Sequence, residues 1–445
     1  MQSLEQLRCG ALTGATRVKL ACGLTEFPRE IFDLADTLEI LDLSGNALNA
    51  LPDDLPRLHR LRILFCSDNQ FTELPAVLGQ CKQLTMVGFK ANQIRRVPAQ
   101  ALPRTLRWLI LTDNQVQALP GEIGDCTQLQ KLMLAGNQLH SLPAELAHCT
   151  RLELVRIAAN RLTEFPTVLL SLPRLAWLAF AGNPFCAVLE TSALAHTATT
   201  MLAWTRLQLS HVLGEGASGV IHHALLDSED AAIAPQPVAV KLFKGAVTSD
   251  GLPHCEMTAC IRAGTHRHLI PVLGKVLHHP SGVHGLVMEL IDTEFVNLAG
   301  PPSLDSCTRD VYAVDQGFGV DVLMGIARGM ASAARHLHAQ GLMHGDLYAH
   351  NILHNAKGMA LLGDFGAASF YAPDDAALAN ALQRIEVRAF ACLLEELLAR
   401  SPGLSGESDL YRALAKLRNQ CFAEDGPTRP LFHQIEQTLL DLMPD

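Results

Sequence analysis

Two short segments in the second half of the chain carry polar side chains whose types and spacing suit work on phosphate groups. Asp346 and Asn351 lie in the run HGDLYAHN (344–351), and Asp364 begins an Asp-Phe-Gly tripeptide thirteen residues after Asn351. Carboxylate and amide oxygens are the ligands that a hard cation such as Mg²⁺ prefers. The pattern therefore indicates a site that could hold a metal ion on a phosphate.

A glycine-rich segment precedes them. Gly214, Gly216 and Gly219 form G-x-G-x-x-G, followed by Val220, between two stretches of alternating apolar residues that predict strands. Glycine has no Cβ, so backbone N–H groups can approach a phosphate closely. A dinucleotide-binding fold would place this motif before a helix, whereas here a strand is predicted to follow it.

Lys241 ends the β-type run 238–241 (VAVK), and Glu256, fifteen residues further on, is the only glutamate between Lys241 and Glu289. With these residues in order, the chain from about Leu207 to Met443 resembles the eukaryotic-type protein kinase family. In that family the lysine contacts the nucleotide phosphates and pairs with the helix-C glutamate. The aspartate of H-x-D accepts the proton of the substrate hydroxyl, and the later asparagine and aspartate hold Mg²⁺.

The resemblance implies ATP and Mg²⁺ as cofactors and a role for each matching residue. The implied catalytic residues are Asp346, Lys241 and Asn351, and the metal ligands are Asn351 and Asp364. The implied ATP contacts are Leu213, Gly214, Gly216, Gly219, Val220, Ala239, Lys241, Glu256, Met288 and Glu289.

The run 344–351 departs from the family pattern at two positions. Gly345 replaces the arginine that docks a phosphorylated activation loop, so control by loop phosphorylation is not expected. Tyr348 replaces the lysine common in serine/threonine kinases, and tyrosine-kinase arginine patterns are missing too. The negative charge of the phosphates would then be neutralised by His350, or by Lys241 alone.

The activation segment is about a dozen residues short. Only five residues separate the Asp-Phe-Gly tripeptide from 372–374 (APD), which is similar to the family's A-P-E motif. Glu386 stands where the family has an aspartate heading a buried helix. We expect Arg429 to pair with Asp374, as the family's late arginine pairs with its glutamate.

The first half repeats one frame seven times, from LEILDLSGNAL to LAWLAFAGNPF. Its asparagines are spaced by 22 or 23 residues, at Asn46, Asn69, Asn92, Asn114, Asn137, Asn160 and Asn183. This matches the LxxLxLxxN consensus and resembles the leucine-rich repeat family. Each repeat is too small to bury its own leucines, so neighbours stack into a curved solenoid. The Leu-Pro dipeptides should start the return segments, because proline cannot donate to a strand ladder.

The positions between the inward leucines line the concave face of such a solenoid. Apolar and aromatic side chains gathered on one face usually mark an interaction site. We predict that this face binds a protein substrate or regulator, or the other half of the chain; the alternative is that the side chains only pack along the sheet. The predicted contacts are Ile40, Ile63, Phe65, Met86, Trp108, Ile110, Met133 and Trp177.

Charge and composition support two domains. Residues 1–190 carry 18 Lys+Arg against 18 Asp+Glu, so the net charge of −10 belongs entirely to the rest of the chain, which argues against a nucleic-acid binder. We predict an α/β leucine-rich-repeat solenoid followed by a two-lobed α+β protein kinase domain. The expected boundaries are an N-terminal cap at 1–16, the solenoid at 17–186, a linker at 187–205 and the kinase domain at 206–445.

The compartment follows from what the sequence does not contain. Residues 1–10 lack a basic start followed by an apolar core, and no stretch approaches 18 consecutive apolar residues. The twelve cysteines are scattered, which favours reduced thiols. We expect a cytoplasmic protein without a membrane span, and compact kinase lobes favour a bacterial source.

Three functions are compatible with this sequence. The first is an active protein kinase, with serine or threonine favoured over tyrosine, whose repeats recruit a substrate or regulator. The second is a pseudokinase scaffold that binds nucleotide without turnover. The third is a small-molecule kinase, because H-G-D-L also occurs in aminoglycoside phosphotransferase-like relatives.

Overall fold

The computed structural model describes residues 2–195, 199–216, 218–230, 232–245, 247–404, 406 and 408–442. The chain divides into two compact units. The first comprises Met1–Leu175 and Asn183–Phe185, and the second comprises Ala176–Gly182 and Cys186–Asp445.

The first unit begins with a short helix, α1 (Leu4–Arg8), whose N-cap Ser3 forms a capping box with Gln6. A parallel sheet follows, with one three-residue strand from each repeat. Its strands are β1 (Arg17–Lys19), β2 (Ile40–Asp42), β3 (Ile63–Phe65), β4 (Met86–Gly88), β5 (Trp108–Ile110), β6 (Lys131–Met133) and β7 (Leu154–Arg156). Neighbouring strands pair without slippage, so that Ile63 lies between Ile40 and Met86.

The interior of the first unit is built from the repeated leucines. Leu41, Leu64 and Leu109, at the middle of their strands, are fully buried. Short 3₁₀ helices form the return segments, and Pro75, Pro120 and Pro143 each stand directly before one. The solenoid expected from the repeat is confirmed.

The regular spacing of the asparagines creates a ladder of hydrogen bonds between repeats. Asn137 accepts a hydrogen bond from the backbone N–H of Val116 at 2.9 Å and donates to the carbonyls of Leu111 and Leu134 at 2.8 and 3.0 Å. The asparagines from Asn69 to Asn183 are buried. Each one therefore satisfies backbone groups that would otherwise be buried without partners.

The second unit has two lobes. The small lobe is built on a mixed sheet. Two elements precede it, β8 (Trp177–Ala179) and α2 (Ala187–Ala195). The lobe then contains β9 (Met201–Ala203), β10 (Leu207–Glu215), β11 (Gly219–Leu226), β12 (Gln236–Phe243), α3 (Pro253–Ala263), β13 (Val272–Leu277) and β14 (Gly285–Glu289). Its strand order is β10-β11-β12-β14-β13-β9.

The large lobe is mainly helical. Its elements are β15 (Val296–Asn297), α4 (Val320–Ala339), β16 (Leu342–Met343), β17 (Ile352–His354), β18 (Ala360–Leu362), β19 (Ser369–Phe370), α5 (Ala376–Ala399), α6 (Asp409–Cys421) and α7 (Phe432–Leu442). Buried apolar residues of α4 and α5 form much of its interior. The two-lobed α+β fold is confirmed.

The structure differs from the expected domain organisation around the predicted linker. The predicted linker, 187–205, contains α2 and β9, and β9 pairs in parallel with β13 of the small lobe; residues 196–198 lie outside the described residues. The seventh copy of the repeat frame covers 175–185, and its residues 176–182 belong to the second unit. Sequence periodicity could not show this, because it records which residues recur and not where they pack. No helix among the described residues is long and apolar enough to cross a membrane.

Candidate active site

Lys241 and Glu256 form an ion pair in the small lobe. Lys241 projects from β12 and its Nζ donates to Oε1 of Glu256, which lies in the first turn of α3. Their side chains are 12% and 2% exposed. Burial alone would lower the pKa of Lys241, but the carboxylates of Glu256 and Asp364 outweigh it and raise that pKa. The ammonium therefore stays charged beside the cavity.

The glycine-rich segment connects β10 and β11. A Cβ on Gly219 would lie 2.6 Å from the carbonyl oxygen of Leu242, so only glycine fits there. Gly214 and Gly216 have open space around them. The N–H of Gly216 donates to the carbonyl oxygen of Gly219 at 2.9 Å, so the backbone itself closes the described part of this turn.

A cavity lies between the lobes. Five of the ten predicted ATP contacts line it, together with the predicted metal ligand Asp364: Gly216, Gly219, Lys241, Glu256 and Met288. The lining also includes Ile221, Cys260, Ile270 and Val272, which sequence reasoning missed. The lining is thus mainly apolar, and Lys241, Glu256 and Asp364 are its charged residues. That combination suits a ligand with a flat apolar part and a charged part.

Five predicted contacts do not line this cavity: Leu213, Gly214, Val220, Ala239 and Glu289. Side chains alternate along a strand, so Gly219 and Ile221 of β11 share a face and Val220 points to the other. The side chain of Leu213 is exposed, and Glu289 is exposed at the end of β14. The sequence feature that could have identified Ile221 as a cavity residue is the same alternation of side chains, counted one residue beyond Val220.

The catalytic-loop residues are held together by hydrogen bonds. Asn351 donates through Nδ2 to Oδ2 of Asp346 at 2.7 Å and to its carbonyl oxygen at 3.0 Å. His344 Nε2 lies 2.9 Å from the carbonyl oxygen of Gly363, directly before Asp364. The loop is thereby linked to the Asp-Phe-Gly segment.

Glu386 anchors this loop from the centre of α5. It is buried, and it accepts a hydrogen bond from the backbone N–H of Gly345 at 2.7 Å. Its Oε2 lies 2.6 Å from Nε2 of His338. Burial would raise the pKa of Glu386, but the hydrogen bond and charge of His338 outweigh it and lower that pKa. Glu386 therefore orients the backbone that carries Asp346.

Asn351 and Asp364 fit the ligand set of Mg²⁺. The Nδ2 group of Asn351 donates to Asp346, so the amide oxygen of Asn351 is the atom that could bind a metal ion. Asp364 is exposed, with a left-handed backbone (φ +51°), and its Oδ1 accepts from the N–H of Gly366 at 3.1 Å. One amide and one carboxylate are enough for a cation that keeps several waters. When bound, Mg²⁺ would neutralise charge on the ATP phosphates.

His350 forms a pair with Asp310. Its Nδ1 lies 2.7 Å from Oδ1 of Asp310, and its backbone N–H donates to Oδ2 at 3.0 Å. Burial alone would lower the pKa of His350, but Asp310 and the two active-site aspartates raise it. His350 is the histidine that the sequence predicts could neutralise phosphate charge in place of the missing lysine.

The expected pair between Arg429 and Asp374 is wrong. Arg429 is buried and donates to the carbonyl oxygens of Ala423 and Arg384, at 2.8 and 3.0 Å. Asp374 is exposed just before α5, and no ion pair within the described ranges includes it. Its carboxylate remains in water, so Asp374 does not replace the family's buried glutamate.

The eight residues predicted for partner binding are not openly exposed. Ile63, Met86 and Trp177 are buried, and Ile40, Phe65, Trp108, Ile110 and Met133 are half-buried. Some contact each other: Trp108 Nε1 lies 3.2 Å from the sulfur of Met133, and Lys131 Nζ lies 4.4 Å above the Trp108 ring. Phe65 covers Gly88, where a Cβ would lie 2.6 Å from its ring. Packing along the sheet thus accounts for part of this face.

Comparison with known families agrees with this geometry. A model described as protein tyrosine and serine/threonine kinase matches residues 207–412. A leucine-rich repeat model matches residues 37–58. The chain carries leucine-rich repeats and a protein kinase domain.

Curated relatives match through the kinase domain. Fibroblast growth factor receptor 1 of Xenopus laevis is 26% identical over 201 residues, which are 43% of this chain and 24% of the relative. Megakaryocyte-associated tyrosine-protein kinase of Rattus norvegicus is 30% identical over 168 residues, 38% of this chain and 31% of the relative. The chain thus spans about a quarter to a third of the length of these relatives.

Among solved structures, a leucine-rich repeat protein of Leptospira interrogans is 29% identical. The match covers 40% of this chain and 51% of that protein, with a TM-score of 0.33.

Proposed function

We propose that this protein is an ATP-dependent protein kinase that transfers the γ-phosphoryl group of ATP to a protein hydroxyl. The observation that carries the proposal is the assembled set of polar groups in one unit: the Lys241–Glu256 pair beside the cavity and the Asp346–Asn351 pair in the catalytic loop. Positioning and electrostatic stabilisation supply most of the catalysis in phosphoryl transfer. The site contains groups for both tasks.

Each residue has a part in the proposed reaction. Lys241 would bind the ATP phosphates, and Asn351 and Asp364 would hold Mg²⁺ on them. Asp346 would accept the proton of the attacking hydroxyl, while Asn351 keeps its carboxylate oriented. Glu386 would position Asp346 through the backbone of the loop.

The acceptor residue is a separate part of the proposal. Serine or threonine remains our expectation, whereas the named relatives are described as tyrosine kinases or receptors. Phosphoamino-acid analysis of the labelled product distinguishes the three hydroxyls. The dominant product should be phosphoserine or phosphothreonine.

We further propose that the repeats recruit the protein substrate or a regulator through the half-buried side chains of the concave face. Phe65 and Trp108 offer the largest apolar surfaces there, and aromatic anchors dominate many interfaces. Changing both to alanine should abolish capture of a partner without changing ATP turnover. Capture that is unchanged in the double variant would contradict this part. We also propose a cytoplasmic location, because none of the twelve cysteines, all of them among the described residues, forms a disulfide.

The test of the activity uses the full chain with labelled ATP and Mg²⁺. Parent, Asp346→Ala and Lys241→Met are compared for autophosphorylation and ATP turnover, with Lys275→Met as a matched control on a different strand. The proposal predicts strong loss in the first two variants and parental activity in the control. Equal signals from parent, Asp346→Ala and Lys241→Met would overturn it.

A further inference from the structure

The segment 176–182 is the larger part of the last copy of the repeat frame, yet it belongs to the unit that contains the candidate active site. Within that unit it contacts the catalytic loop at two places and the activation segment at one. Neither the repeat consensus nor the kinase motifs require these contacts. They suggest a task for the segment in the kinase domain itself.

The first contact joins Trp177 to the catalytic loop. Its ring stacks on Tyr348, with centroids 4.0 Å apart and planes inclined by 7°. Its Nε1 donates to the carbonyl oxygen of Leu347 at 3.2 Å. Trp177 and Tyr348 are 1% and 4% exposed. The stack therefore fixes the two residues that directly follow Asp346.

The second contact places the backbone of Leu178 where a side chain at position 345 would lie. Gly345 has a φ of +75°, and a Cβ there would lie 2.5 Å from the carbonyl oxygen of Leu178 and 2.6 Å from that of Ala367. The backbone of the segment thus occupies the space that a larger residue at position 345 would need. The loop is packed from this side by backbone instead of by a charged side chain.

The third contact holds the short activation segment. Ser369 is fully buried in β19, and its Oγ accepts hydrogen bonds from the N–H groups of Phe180 and Ala181, at 2.9 and 3.1 Å. Ser369 also pairs with Met343 across the β16–β19 ladder. The activation segment is therefore tied on one side to the catalytic loop and on the other to 176–182.

A fourth contact extends the support to the small lobe. The N–H of Gly182 donates to Oε1 of Glu190 in α2, at 2.7 Å. Glu190 also forms a hydrogen bond with Cys255, the neighbour of Glu256 in α3. The same stretch of chain thus connects the catalytic loop with the helix that supplies the partner of Lys241.

We propose that the segment 176–182, together with Glu190, acts as a built-in brace that holds the catalytic loop and activation segment in their working arrangement without phosphorylation of the activation segment. Trp177 and Ser369 are its positioning residues. This inference rests on the proposed kinase function. The physical reason is that a buried stack and two buried hydrogen bonds order the loop permanently, whereas a phosphate would order it only when attached.

The test compares Trp177→Ala, Trp177→Phe and Ser369→Ala in the full chain, with Trp204→Ala as a matched loss of a tryptophan elsewhere in the same unit. Two quantities are measured: kcat and KM for ATP, and hydrogen exchange of backbone amides in 344–351 and 365–371. We expect kcat to fall by about 10- to 100-fold in Trp177→Ala with KM for ATP nearly unchanged, because small displacements of catalytic groups cost about this much.

Exchange in both segments should become about tenfold faster in Trp177→Ala and Ser369→Ala and stay parental in Trp204→Ala. Trp177→Phe keeps a stacking ring and should recover most of kcat. Parental kcat and exchange in Trp177→Ala would overturn the brace, and so would a gain in kcat, since the segment would then be inhibitory. If the parent itself transfers no phosphate, the proposed function fails, and the exchange rates still decide whether the brace exists.

Discussion

The buried carboxylate of Glu386 accepts a 2.7 Å hydrogen bond from the backbone N–H of Gly345. Gly345 is the residue directly before Asp346, so this contact sets the position of the proposed proton acceptor from inside the large lobe. His338 shares the same carboxylate. The loop is thus fixed by a polar cluster in the core, away from any ligand.

Removing that carboxylate should destabilise the kinase domain. Glu386→Ala leaves His338 and the N–H of Gly345 buried without their acceptor, which costs about 3 kcal/mol in the free energy of unfolding. Urea unfolding measures the loss, and Glu424→Ala, at an exposed position, is the control. A loss no larger than that of the control would show that Glu386 does not support the loop.

Introducing a side chain at Gly345 should damage the site, even though the family usually has a larger residue there. A Cβ would be forced into a left-handed backbone and against two carbonyl oxygens, at a cost of about 1–3 kcal/mol for the backbone alone. Gly345→Ala should therefore lower both stability and phosphoryl transfer. Gly319→Ala is the control, because a Cβ there meets nothing within 4 Å. Equal behaviour of the two variants would contradict the packing described for Gly345.

The asparagine ladder makes a prediction for the first unit. Asn137→Ala deletes one acceptor and one donor group that serve three backbone partners, and each unsatisfied buried group costs about 1–3 kcal/mol. We expect the unfolding free energy of the repeats to fall by about 2–4 kcal/mol. Circular dichroism during urea unfolding measures this loss. Asn49→Ala, at an exposed position, should change it little. Similar losses in both would mean that the ladder is not what stabilises the stack.

Stability should also decrease in mild acid because of His266. Burial, followed by the neighbouring His336 and His268, lowers the pKa of His266 to about 4 from an ordinary 6.5. Between those pH values the His266 imidazole is protonated in the unfolded chain but not in the folded protein. The free energy of unfolding therefore falls as the pH falls from 6.5 to 4. His266→Gln should show a shallower decline in that window, whereas exposed His140→Gln should follow the parent. An identical decline in His266→Gln would contradict this assignment.

Much of the fold was predictable because it depends on local patterns. The repeat frame set the strands, since the same leucine positions had to point inward in every copy. The kinase motifs likewise placed Lys241 on a strand and Glu256 on a helix, where the structure brings them together. Short-range chemistry and fixed spacing were sufficient for these features.

The features that the sequence did not predict depend on contacts between distant parts of the chain. Trp177 was singled out for a partner, yet it stacks on Tyr348, 171 positions later, which no periodicity reveals. The Arg429–Asp374 pair failed because the shorter activation segment leaves Asp374 in solvent. Val220 was chosen over Ile221 by adjacency to a motif, although strand alternation places Ile221 in the cavity.

The central claim is that Asp346 takes part in phosphoryl transfer from ATP. The most direct test is single-turnover transfer by the parent and by Asp346→Asn, with nucleotide binding measured in both. The substitution keeps the shape of the side chain and an oxygen for the hydrogen bond from Asn351, but it cannot accept the proton. We predict that the rate of transfer falls by about 10² to 10⁴-fold while ATP affinity is unchanged. Equal transfer rates in the two proteins, or no transfer by the parent when ATP is bound, would contradict the account.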